Sequence, residues 1–184
     1  VLFRSTIIYG NEGDQPEAFT GLAPRYNSLS AANADNIVSA GGSGSDNTSI
    51  WLVVWGDQTL HGIYPKGSRA GLDMQDKGQV TIENVDGSGG RMEAYRTHYR
   101  HDCGLTVRDW RFAARVCNID VSALTSDGTA ADRAAAQKAL ITFMVQASER
   151  IPSLSKGRAV WYVNRTIREQ LRLGILEKIA GNLA

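Results

Sequence analysis

The residues of this chain whose types and spacing could do chemistry together are His98, His101, Asp102 and Cys103. Imidazole, carboxylate and thiolate are the ordinary ligands of zinc, so the cluster first raises a metal site. Strand alternation sets His98 on the face opposite His101 and Cys103, which leaves two ligands on one face. A structural zinc ion takes four ligands and a catalytic one takes three from the protein. His61 is the one other histidine. Cys103 and His101 also have the types of a nucleophile and its base, but a spacing of two residues does not by itself aim one at the other. Other chemistries lack their residues altogether. There is no Gly-x-Ser-x-Gly elbow, no phosphate loop ending in Lys-Ser/Thr, and no pair of carboxylates in an apolar setting. The sequence therefore predicts no catalytic residue, no metal and no cofactor, and a protein that is not an enzyme.

Charge is the second chemical feature. Residues 150–178 hold seven Lys and Arg against Glu169 and Glu177, a balance of +5, whereas residues 10–49 hold Arg25 against five acids, a balance of −4. Opposite patches on one molecule suit head-to-tail association between copies. A solvated helix face is the plainer reading of each residue alone. Nucleic acid is a third reading, which the scarcity of aromatic residues in the basic stretch disfavours. Six arginines also fall between Arg91 and Arg115, against Glu93, Asp102 and Asp109.

The elements that must position these groups follow from periodicity. Ile50-Trp51-Leu52-Val53-Val54-Trp55 is β-branched and aromatic, which predicts a strand buried on both faces. Gly56-Asp57-Gln58-Thr59 predicts a turn, and residues 60–64 a return strand ended by Pro65. Residues 65–78 read as a loop, 79–83 as a third strand, and Asp86-Gly87-Ser88-Gly89-Gly90 as a turn. Residues 91–100 predict a strand with Tyr95, Thr97 and Tyr99 on one face and Arg96, His98 and Arg100 on the other. Residues 105–107 and 110–112 continue in that style. A strand polar on both faces is weakly specified alone and makes sense when other chains cover it; a hairpin with one solvated face is the alternative. Residues 10–49 read as loop.

The last third changes character. Residues 129–150 predict a helix with apolar positions Ala136, Leu140, Phe143, Met144 and Ala147, a Thr129–Asp132 capping pair and Pro152 as its stop. Residues 158–163 predict a strand. Thr166 and Glu169 fit a capping box at the start of a final helix whose apolar stripe is Ile167, Leu171 and Ile175. The fold class expected is α+β, β-rich over residues 50–120 and helix–strand–helix over residues 129–180, with no internal repeat.

Composition sets the outer limits. The chain has 184 residues, a net charge of +1 and 42% hydrophobic residues, which suits a folded domain rather than a disordered one. No apolar run approaches the roughly 20 residues of a membrane helix, so no membrane partner is expected. Cys103 and Cys117 read as small buried hydrophobes rather than a disulfide. Asn47-Thr48-Ser49 and Asn164-Arg165-Thr166 match the glycosylation acceptor by chance, since no secretory signal supports them. The opening Val1-Leu2-Phe3-Arg4-Ser5 can be encoded by the end of a common sequencing adapter. Residues 1–5 are therefore expected to be non-native and residues 6–184 a metagenomic fragment of a longer protein, cut also near the Gly stop of its last helix.

A family resemblance rests on ordered motifs. They are Phe19-Thr20-Gly21-Leu22-Ala23-Pro24-Arg25-Tyr26-Asn27, then Asp46-Asn47-Thr48-Ser49-Ile50-Trp51-Leu52-Val53-Val54-Trp55-Gly56, then His61-Gly62-Ile63-Tyr64-Pro65-Lys66-Gly67. Tyr95-Arg96-Thr97-His98-Tyr99, Gly104-Leu105-Thr106-Val107-Arg108-Asp109-Trp110-Arg111, Asn118-Ile119-Asp120 and Trp161-Tyr162-Val163-Asn164-Arg165-Thr166 follow. Together they resemble the major capsid protein of tailed bacteriophages (Caudoviricetes), nearest to the epsilon-15-like short-tailed group. The resemblance implies a partial Hong-Kong-97-type fold: the family fold has an axial domain, a peripheral domain, an extended loop and an N-terminal arm, and the upstream part carrying the arm and a downstream strand are expected to be missing from this fragment. It implies a structural subunit made in the bacterial host cytoplasm and located in the virion. Its partners would be copies of itself in hexamers and pentamers, with scaffold, portal or decoration proteins besides. The shell would enclose DNA without sequence-specific binding. Candidate subunit-contact residues are Arg96, His98, Arg100, Arg108, Arg111, Arg165 and Arg168. The competing readings are a Gly-rich β binding or virion decoration module, and a hydrolase whose site is completed elsewhere.

Overall fold

The apolar run of residues 50–55 lies inside a six-stranded mixed sheet. Ile50, Trp51, Leu52, Val53 and Val54 are each at most 2% exposed, which a strand achieves only when both its faces are covered. Each such side chain contributes roughly 1.5–3 kcal/mol on burial, so this strand organises everything around it. The structure, a computed structural model, describes residues 2–67, 71–83, 87–125 and 130–181. In chain order the elements are α1 (Leu2–Tyr9), α2 (Leu22–Arg25), β1 (Ile37–Ser39), β2 (Thr48–Trp55), β3 (Leu60–Ile63), β4 (Asp73–Glu83), β5 (Arg91–Arg100), β6 (Gly104–Val107), β7 (Ala113–Ile119), α3 (Val121–Thr125), α4 (Ala130–Glu149), β8 (Arg158–Tyr162) and α5 (Arg165–Gly181). The fold class is α+β.

The chain divides into two units, residues 1–61 with 106–184, and residues 62–105. In the first, β2 is paired on both edges: antiparallel to β7, with Leu52 opposite Ala114, and antiparallel to β8, with Leu52 opposite Trp161. β1 runs parallel to β7. α4 packs against β7 and β1, and α3, α4 and α5 pack against one another. The helix turns its predicted stripe inward, with Leu140 and Ala147 buried and Ala136, Phe143 and Met144 half-buried. Buried polar groups fix the joints. Asn36 donates through Nδ2 to the carbonyls of Arg111 (3.0 Å) and Ala113 (2.8 Å). Arg115 donates to the Tyr26 carbonyl (2.7 Å) and to Ser49 Oγ (3.0 Å) while its guanidinium lies 5.1 Å from the Trp51 ring. The Tyr26 hydroxyl, whose pKa burial pushes up, donates to the Trp110 carbonyl at 2.6 Å.

The second unit is built on the antiparallel hairpin of β4 and β5, a two-stranded sheet of its own. Its register shifts between Asp76 and Gln79, where Gly78 takes φ +67, a left-handed conformation that glycine adopts without strain.

Several expectations need correction. Residues 10–49 are not all loop: α2 and β1 form there, and β2 starts at Thr48. Ile37 and Val38 gave a signal too short to read until β7 supplied a partner. The loop assigned to residues 65–78 ends at β4, whose residues 73–78 are held as a strand by cross-strand pairing with β5 rather than by their own propensity. β3 does not retrace β2; Trp55 pairs with Leu60 in the parallel sense. Residues 110–112 form a 3-10 turn capped by Asp109, and the strand follows at β7. The strand expected over residues 158–163 stops at Tyr162. The last helix begins at Arg165, so Thr166 lies inside its first turn, and Ile175 is exposed rather than part of the buried stripe. Asp86 and Thr129 lie outside the described residues, as does the end of the chain after Gly181.

Candidate subunit-contact surface

The seven candidate residues fall in three places. Arg96, His98 and Arg100 lie on β5, where the alternation predicted from sequence is seen in the register. Tyr95 stands opposite Gln79, and Tyr99 opposite Met74; His98 stands opposite Gln75, and Arg100 opposite Asp73. Directly opposed residues of an antiparallel pair share a face, so one face carries Met74, Tyr95 and Tyr99 and the other carries Arg96, His98 and Arg100. Apart from Gly78, Val80 and Ala94, every described residue of the two strands is exposed. Tyr95 is 84% exposed, Tyr99 59% and Met74 63%. The hairpin is held by its backbone ladder and by exposed side-chain pairs. Arg91 and Glu83 pair at 2.9 Å, and Thr81 Oγ1 donates to Glu93. Surface pairs of this kind contribute little, about 0–1 kcal/mol, and a lone two-stranded hairpin is marginal in water.

Arg100 is committed locally. Its guanidinium meets Asp102 at 2.8 Å, and that hydrogen bond raises its pKa. Arg111 is committed in the same way to Asp109 at 2.8 Å; the hydrogen bonds from Arg111 hold the Asp109 carboxyl below its usual range. Arg96, His98, Arg108, Arg165 and Arg168 are exposed, and no side-chain partner is found for them among the described residues. Arg108 lies between β6 and the 110–112 turn, its backbone N–H donating to the Thr59 carbonyl at 2.9 Å. Arg165 and Arg168 lie in the first turns of α5.

Sequence reasoning missed two basic neighbours. Lys77 lines the same surface depression as Arg96 and His98, and Arg172 the same one as Arg165 and Arg168. The spacing 165, 168, 172 is a helical stripe and was available as a signal. Lys77 was hidden in what read as a loop. Tyr95 and Tyr99 were seen as a face but not as contact residues, and Met74, like Lys77, was hidden in what read as a loop.

The histidine–cysteine cluster takes a different form from the one its spacing suggested. β5 ends at Arg100, so His101, Asp102 and Cys103 lie in the connection to β6 and strand alternation does not govern them. Cys103 Sγ and His101 Nδ1 are 3.5 Å apart. Burial pushes the Cys103 thiol up, with the Asp102 carboxylate adding to the effect, whereas an activated nucleophile needs a lowered thiol. Among the described residues no group of three or more His, Cys, Asp or Glu side chains could hold a metal ion. Cys103 and Cys117 are free, and Cys117 is buried. Among the described residues, the buried polar atoms Asn47 Oδ1, Trp51 Nε1 and His61 Nδ1 lack a partner. They are dispersed along β2 and its flanks, not gathered at one point.

Among the described residues several exposed side chains, Arg96, Arg108, Arg165 and Arg168 among them, have no side-chain partner. No helix among the described residues is long and apolar enough to cross a membrane. No individual curated protein matches the chain. The family described as Major capsid protein GP7 matches it over residues 2–184. The exposed hairpin, the unpartnered arginines and this match along nearly the whole chain agree, and the protein belongs to the Major capsid protein GP7 family.

Proposed function

We propose that the chain is a coat subunit that assembles with copies of itself into the icosahedral head shell of a tailed phage and encloses its DNA. Family membership supports the structural role and the virion location. The finer reading is a Hong-Kong-97-type subunit of the epsilon-15-like group, made in the host cytoplasm and assembled as hexamers and pentamers with scaffold, portal or decoration proteins. In this reading the subunit is β-rich over 50–120 and helix–strand–helix over 129–180.

The observation that carries the proposal is the β4–β5 hairpin. It exposes Met74, Tyr95 and Tyr99 on one face and Arg96 and His98 on the other. Large aromatic and methionine side chains are the residue types enriched at protein interfaces. Covering three of them would contribute roughly 1.5–3 kcal/mol each, enough to offset the weak internal bonding of the hairpin. Arg96, His98, Arg100, Arg108, Arg111, Arg165 and Arg168 then serve as contact residues. Arg100 and Arg111 present a charge already neutralised by Asp102 and Asp109, Arg96, Arg108, Arg165 and Arg168 present an open one, and His98 presents a polar ring.

Sedimentation velocity over a rising concentration series tests this. The expected result is a reversible shift from monomer to ring-sized species, together with no stoichiometric zinc on elemental analysis. A monomer at every concentration would refute it, and one bound zinc per chain would restore the hydrolase reading.

A further inference from the structure

Building on the reading of the chain as an assembling subunit, we infer that the first turns of α5 form one side of a contact between copies. The segment carrying Glu12, Asp14 and Glu17 of a second copy forms the other side. α5 has two distinct faces. Ile167 is fully buried, and a Cβ added at Gly174 would lie 2.5 Å from Gln137 Oε1, so this side of α5 comes down on α4. The opposite stripe carries Arg165, Arg168 and Arg172, all exposed. Arg168 and Arg172 stand four residues apart, a spacing at which like charges repel on a helix. Their first turn contains no acid, and the helix dipole adds positive potential there. Glu169 lies among them, yet no ion pair joins it to any of the three among the described residues. The stripe is a concentration of positive charge that no ion pair among the described residues neutralises.

Its surroundings favour protein over nucleic acid. Leu173 and Leu176 continue the stripe and are 41% and 61% exposed. Charges beside exposed leucines suit the rim and core of a protein contact, and the stripe offers no aromatic ring on which a base could stack. A second copy is the partner whose chemistry fits. Residues 5–24 contain no Lys, Arg or His. Within them Glu12, Asp14 and Glu17 are exposed, Asp14 being oriented by a hydrogen bond from Asn11 Nδ2 at 2.8 Å. Glu12 and Glu17 make no ion pair among the described residues. Two unlike, complementary patches on one chain give a head-to-tail contact that repeats around a ring. A contact of either patch with its own twin would oppose like charges.

Charge reversal with rescue tests the contact. Arg165→Glu with Arg168→Glu and Arg172→Glu, or Glu12→Lys with Asp14→Lys and Glu17→Lys, should each weaken self-association at least about tenfold, with the circular dichroism spectrum unchanged. The two reversals combined in one chain should restore it. Independently, Asp14→Cys and Arg168→Cys chains, each also Cys103→Ser, should form a disulfide with each other when mixed and oxidised. Tolerance of either reversal, failure of the combination to rescue, or absence of that disulfide overturns the inference. Shells that form despite tolerated reversals would reject this contact and keep the coat function. The disulfide without any shell would do the opposite. If the arginine reversal leaves association intact but abolishes retardation of a short random-sequence duplex, the stripe is a phosphate surface and the copy contact is refuted.

Discussion

Replacing Gly157 with alanine adds one methyl group where β8 begins its pairing with β2, and two physical effects of opposite sign compete there. Gly157 has φ −173 and ψ −164, extended backbone open to any residue. Unfolded-state entropy alone would therefore make alanine more stable by about 0.4–1 kcal/mol. Space decides otherwise. The added Cβ would lie 2.3 Å from the Trp55 carbonyl oxygen and 2.9 Å from its carbon, where non-bonded carbon contacts settle near 3.5–4.0 Å. The neighbour is backbone in a ladder that pairs Trp55 with Arg158, so no side-chain rotation relieves the clash. Overpacking costs about 1–3 kcal/mol, and opening the first ladder pair adds about 0.5–1.5 kcal/mol. The net expectation is a loss of about 0.5–4 kcal/mol. Urea unfolding followed by tryptophan fluorescence reads it, because Trp51, Trp55 and Trp161 all lie on β2 and β8. Gly62→Ala is the control: its nearest heavy atom would be the Gly104 carbonyl oxygen at 3.8 Å, so the entropy term stands unopposed and stability should hold or rise. A Gly157→Ala protein as stable as the Gly62→Ala protein would refute the β2–β8 pairing.

Three further outcomes follow from the same geometry. Asn36→Ala removes the donor shared by the Arg111 and Ala113 carbonyls at a position 3% exposed, and should lower stability by about 1–3 kcal/mol; a urea midpoint indistinguishable from the parent would contradict this. The Asp109 carboxyl is held low by Arg111, so its contribution is full above the unfolded carboxylate value, about 3.9, and fades as pH falls through the lower folded value. Asp109→Asn should therefore flatten the acid limb of the stability–pH curve, and an unchanged limb would show that the Arg111 pair does not contribute. Tyr95→Asp with Tyr99→Asp changes exposed positions, so the unfolding midpoint should move by no more than about 0.5 kcal/mol while self-association falls sharply; association at the parent level would remove the aromatic face from the contact.

What the sequence made legible followed from how local each signal was. β2 was readable because five successive apolar residues bury on both faces, and α4 because its stripe repeats over about three turns. The two faces of β5 were readable because alternation needs no partner to be seen. β1 and the first half of β4 were not readable. Ile37-Val38-Ser39 is a strand only because β7 lies beside it, and Asp73 to Lys77 only because β5 does. Cross-strand pairing overrides weak local preference at such places. The candidate surface divided in the same way. Arg96 and His98 lie on the face that alternation gave them, whereas Arg168 lies in the expected final helix and Arg165 in its first turn, one residue before the expected start. Arg100 and Arg111 turned out to be engaged by acids two residues away, a local pairing that no period reveals. The histidine–cysteine cluster misled in its geometry because the strand assumed to run through it ends at Arg100.

The central claim is that this protein acts by covering its own exposed faces with copies of itself. Electron microscopy of the protein, expressed with the other assembly proteins of its phage, tests that most directly. The account predicts closed shells or capsomer rings in which the β4–β5 hairpin lies against a neighbouring copy. Particles that remain monomeric at high concentration with those proteins present would contradict it.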